Sequence, residues 1–258
     1  VTENDDETVG NFENAIQKNT KAVIMTAASN VTGQILPFER VAKLCSERNI
    51  CFILDASQAS GIIPIKLENG ISIICTAGHK ALYGMQGTGI LLTDSKFIIS
   101  PLMYGGTGSN SIRLLQPEFL PDRLESGTGN IVGAMSLKAG IEFVNQYKRE
   151  NIYKHETRLC NILINELSGI SDVIIYRNKN LRYVPIVAFN IKGRTSEETA
   201  ELLNREGFCL RAGLHCAPLA HRTLGTPDGV VRFSPSVFSR ENDVVRLCRT
   251  IRKLVVSG

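Results

Sequence analysis

The chain has 258 residues, 43% of them hydrophobic and 21% charged, with a net charge of +4; this suits one large soluble domain or two modest ones. Its longest apolar runs, residues 50–54 and 185–191, are strand-sized and far short of the ~20 residues needed to cross a bilayer, so no membrane partner is expected. The positive charge is scattered except for Arg246, Arg249, Arg252 and Lys253 near the end, which read as the solvated face of a terminal helix and not as a nucleic-acid surface.

The chain opens on an acidic stretch, residues 1–7, without the basic and apolar regions of a secretory signal and without an initiating Met, as a processed or cut chain would. Val9, Phe12 and Ile16 recur at helical spacing over residues 9–18. Residues 21–26 are a short apolar run of strand formers, read as a buried strand. Pro37 predicts a helix from that point, since its missing N–H costs nothing in a first turn; Val41, Leu44 and Cys45 share one face, and the helix ends by Asn49. Residues 50–55 predict a strand closing on Asp55, residues 71–76 one running into Ala77-Gly78-His79-Lys80, and residues 89–93 a fourth. This β-α-β order predicts an α/β fold with a mostly parallel sheet and a ligand at the carboxyl ends of its strands.

Residues 104–130 dissolve into Gly, Thr, Ser, Pro and charge, a length of irregular chain that is usually functional. Helical periodicity returns from 131 to about 168. Residues 172–176, 185–191 and 230–233 then read as strands, covered by helices over 196–206 and 240–255. We expect a large domain over residues 1–143 and a smaller C-terminal α+β domain over 144–258. The seven cysteines are an odd number without a C-x-x-C, which argues against a metal cage and for a reducing, cytoplasmic compartment. Cys45, Cys51 and Cys75 fall in apolar patterns, where a thiol acts as a small hydrophobe.

Lys80 directly follows an apolar strand and is flanked by glycines. A solvent-facing lysine in a tight turn is one reading. Asp55, at the end of the neighbouring strand, favours another: a lysine for a Schiff base and a carboxylate for a pyridinium nitrogen are what pyridoxal phosphate (PLP) requires. A helix N-cap is the competing role for Asp55. Cys216 is the cysteine that lies in a Gly- and Pro-punctuated loop beside Arg and His, where a thiol can gain thiolate character; an inert loop cysteine is the alternative, and the residues alone favour it. Arg232, inside an otherwise apolar strand, needs an anionic partner; a carboxylate gripped bidentately would supply one, and a structural ion pair is the alternative.

Taken in order, Asn30-Val31-Thr32-Gly33-Gln34, Asp55-Ala56-Ser57-Gln58, Gly78-His79-Lys80 and Arg211-Ala212-Gly213-Leu214-His215-Cys216 resemble the cysteine desulfurases of the class V aminotransferases, across essentially the whole chain. The resemblance implies a PLP-dependent fold type I enzyme and a homodimer. It implies that Lys80 holds the cofactor and moves protons, Asp55 pairs with the ring nitrogen, Gln58 meets the phenolic oxygen, and His79 helps hold the phosphate. Asn30 would lie near the substrate carboxylate and ring oxygen. Thr128, in Glu125-Ser126-Gly127-Thr128-Gly129-Asn130, would reach the phosphate of a second subunit. Residues 105–108 would form the adjoining interface loop, or simply a flexible turn. Arg232 would bind the carboxylate of L-cysteine, with Arg211 a weaker candidate near the same pocket. Cys216 would take the sulfur as a persulfide, leaving alanine, and pass it to an acceptor protein or small thiol. His215 would tune that thiol or relay a proton, or be a structural histidine.

Two departures stand out. Ala77 occupies a position where many members carry a phosphate-binding hydroxyl, with Thr76 next to it. The family's N-terminal portion, with its phosphate-cradling turn and the aromatic residue stacked on the ring, has no counterpart before Asn30. Selenocysteine lysis, C–S lysis or transamination on the same scaffold remain open, as does a truncated, non-catalytic docking protein.

Overall fold

In the first layer, short runs of apolar residues stop at polar ones and pair side by side. A computed structural model describes residues 2, 4–109 and 112–256. Strands β1 (Ala22–Thr26), β2 (Cys51–Asp55) and β3 (Ile73–Ala77) are parallel neighbours in that order, and β4 (Gly89–Thr93) pairs antiparallel with β3. The register sets Thr26 opposite Asp55 and Asp55 opposite Cys75, so the parallel strands present their carboxyl ends together.

Helix α1 (Asp5–Ala15) begins ahead of the first apolar position because the Asn4 side chain accepts from the backbone N–H groups of Asp6 and Glu7, and its acidic first turn complements the helix dipole. Helix α2 (Phe38–Glu47) starts right after Pro37 and buries Phe38, Val41, Ala42 and Cys45. These join Val23, Met25, Phe52, Leu54 and Ile74 in one core. The expectation of a buried first strand holds for one face alone. Only one face of β1 meets the core, and Ile24 on the other is 69% exposed.

Among the described residues no helix or strand lies between β4 and α3 (Ile131–Tyr147), and this stretch exposes Leu102, Ile112, Leu114 and Leu115 almost completely. Helix α3 ends at Lys148, whose φ of 65° turns the chain into α4 (Arg149–Leu167). Residue 143, the expected domain boundary, falls inside α3.

The second layer is an antiparallel sheet, β5 (Val173–Ile175), β6 (Val187–Ile191) and β7 (Val231–Phe233), packed on α4, α5 (Ser196–Arg205) and α7 (Glu241–Val256). Leu159, Leu163, Leu167, Phe189, Leu203, Leu247 and Ile251 are wholly enclosed, each side chain stabilising the fold by roughly 1.5–3 kcal/mol. Thr195 and Glu198 form a reciprocal capping box that starts α5. On α7 the basic residues lie outward: Arg252 pairs with Glu166 at 2.6 Å and Arg246 stacks over Phe208. A further helix, α6 (Pro218–Leu224), follows Cys216 where only a loop was expected. Pro218 opens it and Gly225, at φ 67°, closes it. Among the described residues no helix is long and apolar enough to cross a membrane.

Candidate functional site

Lys80 sits in a turn just beyond β3, built by backbone bonds. Gly78 N–H donates to Thr88 O, Gly84 N–H to Gly78 O, and Tyr83 N–H to Lys80 O, each at 2.9 Å. Two glycines from other elements let the chain close on this turn. A Cβ on Gly61 would lie 2.2 Å from the Ala81 carbonyl oxygen, and one on Gly140 of α3 would lie 2.1 Å from that of Leu82. Next to it, the end of β2 is secured by Ser57 N–H donating to Asp55 Oδ1 at 2.9 Å, while Ser57 Oγ accepts from Ala77 N–H at 3.2 Å. The ends of β2 and β3 are thereby tied together at the sheet's carboxyl edge.

Lys80 and Asp55 are exposed at the open edge of the sheet, yet partial burial pushes the Lys80 amine below its ordinary pKa; the Asp55 carboxylate opposes this and Arg232 adds to it. A depressed amine is what a nucleophilic or basic lysine needs. Lys80 shares a cavity of about 270 Å³ with Ser57, Gln58, Tyr83, Glu156 and Arg232.

The cysteine stands on a different kind of support. Arg232 N–H donates to Arg211 O at 2.8 Å and Val230 N–H to Gly213 O at 3.2 Å, so the loop leans on β7. His215 and Cys216 both take left-handed backbone conformations, φ 49° and 59°, which cost roughly 1–2 kcal/mol each in residues with a Cβ. Asn30 Nδ2 pins this bend by donating to His215 O at 2.6 Å. The Cys216 thiol is exposed, and Arg211 Nη2 stands 3.9 Å from its sulfur.

His215 itself is only 4% exposed, and its Nε2 lies 3.0 Å from Val230 O. That bond requires the hydrogen on Nε2. Burial first, then Arg232 and Arg211, push its pKa down to about 4, so the ring is neutral near pH 7. It is held against the carbonyl of the residue just before β7.

Arg232 joins the two supports. Its Nη1 donates to Asn30 O at 2.7 Å, and its Nε is buried with no partner among the described residues. A buried guanidinium with a spare donor beside the Lys80 cavity calls for an anion.

The structure thus gathers Lys80, Gln58 and Arg232 around one cavity, sets Asp55 within electrostatic reach of Lys80, and ties Asn30, Arg211 and the Cys216 loop to Arg232. His79 and Thr128 are exposed. Thr128 follows Gly127, whose N–H donates to Gly106 O at 2.8 Å, so these two glycine-rich stretches associate with each other. Tyr83 and Glu156 were not among the sequence candidates. Tyr83 lay inside the lysine motif, but no local signal marks Glu156, a polar position on an amphipathic helix.

Known proteins resemble this chain in sequence and in fold. The family described as aminotransferase class-V matches residues 1–247. A probable cysteine desulfurase of Methanothermobacter thermautotrophicus is 28% identical over 259 residues, covering 96% of this chain and 64% of the relative. One of Pyrococcus abyssi is 28% identical over 249 residues, covering 93% and 61%. The apo structure of a cysteine desulfurase from Thermococcus onnurineus superposes with a TM-score of 0.90 at 28% identity, covering 99% of this chain and 66% of that one. The chain spans somewhat under two thirds of the length of these relatives. With the order of strands, the lysine turn and the cysteine loop in place, and a family match over nearly its whole length, the chain belongs to the class-V aminotransferases.

Proposed function

We propose that this chain carries the cofactor-, substrate- and sulfur-handling residues of a PLP-dependent cysteine desulfurase acting on L-cysteine. The observation that carries the reading is Arg232, whose side chain lines the Lys80 cavity while its backbone pairs with Arg211, the residue beside the Cys216 sulfur. The names of the relatives support the same chemistry.

The donor set fits PLP at its ring end. The depressed Lys80 amine would hold the aldehyde end, Asp55 would offer a carboxylate to the pyridinium, and Gln58 a donor to the phenolic oxygen. His79, and Thr128 across a homodimer interface, would serve the phosphate. Bound PLP would supply an electron sink that renders the substrate's α-hydrogen acidic.

The part of the Arg232 guanidinium that lines the Lys80 cavity would grip the substrate carboxylate, with Asn30 beside it and Arg211 behind. The Lys80 amine takes the α-proton and returns a proton, base and then acid. The Cys216 thiolate forms a sulfur–sulfur bond to the substrate sulfur as the Cβ–S bond breaks and its electron pair goes to carbon, where protonation yields alanine. A persulfide stays on Cys216 for an acceptor protein or small thiol. Arg211 Nη2 stands 3.9 Å from the sulfur that would carry it. His215, neutral and bonded to Val230, holds the loop in its bend.

The exposed Leu102, Ile112, Leu114 and Leu115 support a homodimer that covers them. Seven free thiols support a cytoplasmic setting. Neither nucleic acid nor membrane enters the reading. Replacing Cys216→Ala in the full natural chain should abolish sulfide and persulfide formation from L-cysteine while the yellow colour of bound PLP persists. Undiminished desulfuration by that variant would sink the role of Cys216.

A further inference from the structure

Glu156 is the one acidic side chain among the described residues that is fully buried, at 4% exposure. It stands on α4 and faces the cavity that Lys80 and Arg232 line. Its Oε1 lies 3.5 Å from Tyr83 Oη, and it also accepts from the Val237 backbone N–H. Tyr83 belongs to the Lys80 turn, whose backbone it closes, and Val237 to the segment that leaves β7 after Arg232. One carboxyl therefore bridges the two walls of the cavity. The preceding residue on the helix grips the same segment, since His155 Nε2 lies 3.0 Å from Ser239 O. Tyr83 meets Phe238 edge-on at 6.1 Å, completing the join.

A buried carboxyl without a cation is costly, and an apolar side chain would anchor α4 at lower cost. No salt bridge to Glu156 is formed among the described residues. Its location suits another task. We propose that Glu156 is a positioning residue for the Lys80 amine: through Tyr83 and Val237 it fixes the lysine turn against the segment that carries Arg232, and so sets the amine relative to the carboxylate-binding guanidinium. This rests on the desulfurase reading for its consequence in turnover, though the link itself does not.

Burial raises the carboxyl to about 7, while the Tyr83 and Val237 hydrogen bonds draw it back. The groups facing it are Tyr83 from the turn, Lys80 and Arg232 across the cavity, and Cys160 on its own helix, with His155 beside it turned to Ser239. Near neutrality it is partly protonated, so Glu156→Gln mimics one of its two states.

The test uses the full natural chain with bound PLP. Glu156→Ala should lower kcat for L-cysteine about tenfold to a hundredfold, as expected for a misplaced reacting group, with KM changed far less. The pH midpoint of the visible absorbance band should move by about half a unit or more. Glu156→Gln should restore most of both. In cofactor-free protein, amide exchange at residues 80–84 and 234–238 should quicken in Glu156→Ala and not in Glu156→Gln. Should the alanine variant not fold, Tyr83→Phe removes only the phenolic oxygen facing Glu156 and should shift the same readouts in the same direction. Unchanged kcat and exchange, or glutamine as impaired as alanine, would overturn the proposal. If borohydride traps no PLP on Lys80 in the wild-type protein, the desulfurase reading fails; the exchange arm alone then upholds or overturns the Glu156 link.

Discussion

Around Lys80 the chain closes on itself through backbone contacts, with Gly61 and Gly140 letting neighbouring segments approach so tightly that a methyl group would collide with a carbonyl. Cys216 stands on an exposed bend whose base rests on backbone bonds to residues 230 and 232, and whose tip is pinned by the Asn30 amide and the His215 imidazole. The contrast matches the two jobs proposed. An amine that moves a proton at a fixed carbon gains from sub-ångström placement. A thiol that must collect sulfur and surrender it to another molecule needs access, and the strained φ values of His215 and Cys216 are the local cost of presenting it.

The largest expected effect tests the rigid wall directly. Lys80→Ala should remove the borohydride-sensitive absorbance and lower desulfuration by about 10²–10⁴-fold or more, while leaving the rate of Cys216 alkylation unchanged. Equal loss in both readouts would show that the two walls are not separable. Gly140→Ala sharpens the same contrast at intermediate size. Its methyl group would meet the Leu82 carbonyl, destabilising the fold by roughly 1–3 kcal/mol and weakening PLP retention, again with thiol reactivity intact. Chemical denaturation and a PLP titration would check this.

The smallest effect belongs to the cysteine side. The His215 pKa is depressed to about 4 in the folded protein, below the ordinary value of 6.5. The unfolded chain therefore binds the proton more tightly, so this contribution to stability is complete above about pH 6.5 and is lost as pH falls towards 4. Its size is at most about 3 kcal/mol. Melting temperatures between pH 7.5 and 4.5 should fall less steeply in His215→Gln than in the wild type. Parallel curves would mean that the buried ring carries no such penalty.

Much of this site was legible in the chain before it was folded. Apolar runs stopping at Asp55 and just before Lys80 announced two parallel strands and the edge where their polar ends meet, because strand length and composition are local properties. The cysteine among glycines and arginines was equally plain, and Pro218 with Gly225 could have revealed α6 had they been read as helix ends and not as loop punctuation. Other features had no local signature. Nothing in residues 89–93 encodes that β4 runs antiparallel to β3, since strand direction depends on the route of the connecting chain. The exposure of Ile24 depends on what packs over the sheet, and the sequence left His215 open to a chemical or a structural role, because its contact with the Val230 carbonyl is made only in the folded chain.

What the amino-acid order determined by itself was the kind of chemistry on offer: an amine and a carboxylate at strand ends, an arginine inside a strand and a thiol in a loop. Only the tertiary structure decided which of them act on one another. Tyr83 and Glu156 are 73 residues apart, and Asn30 and Arg232 are 202 apart. Contacts of that separation arise from packing two layers together, and burial then sets the charge state of the groups enclosed between them.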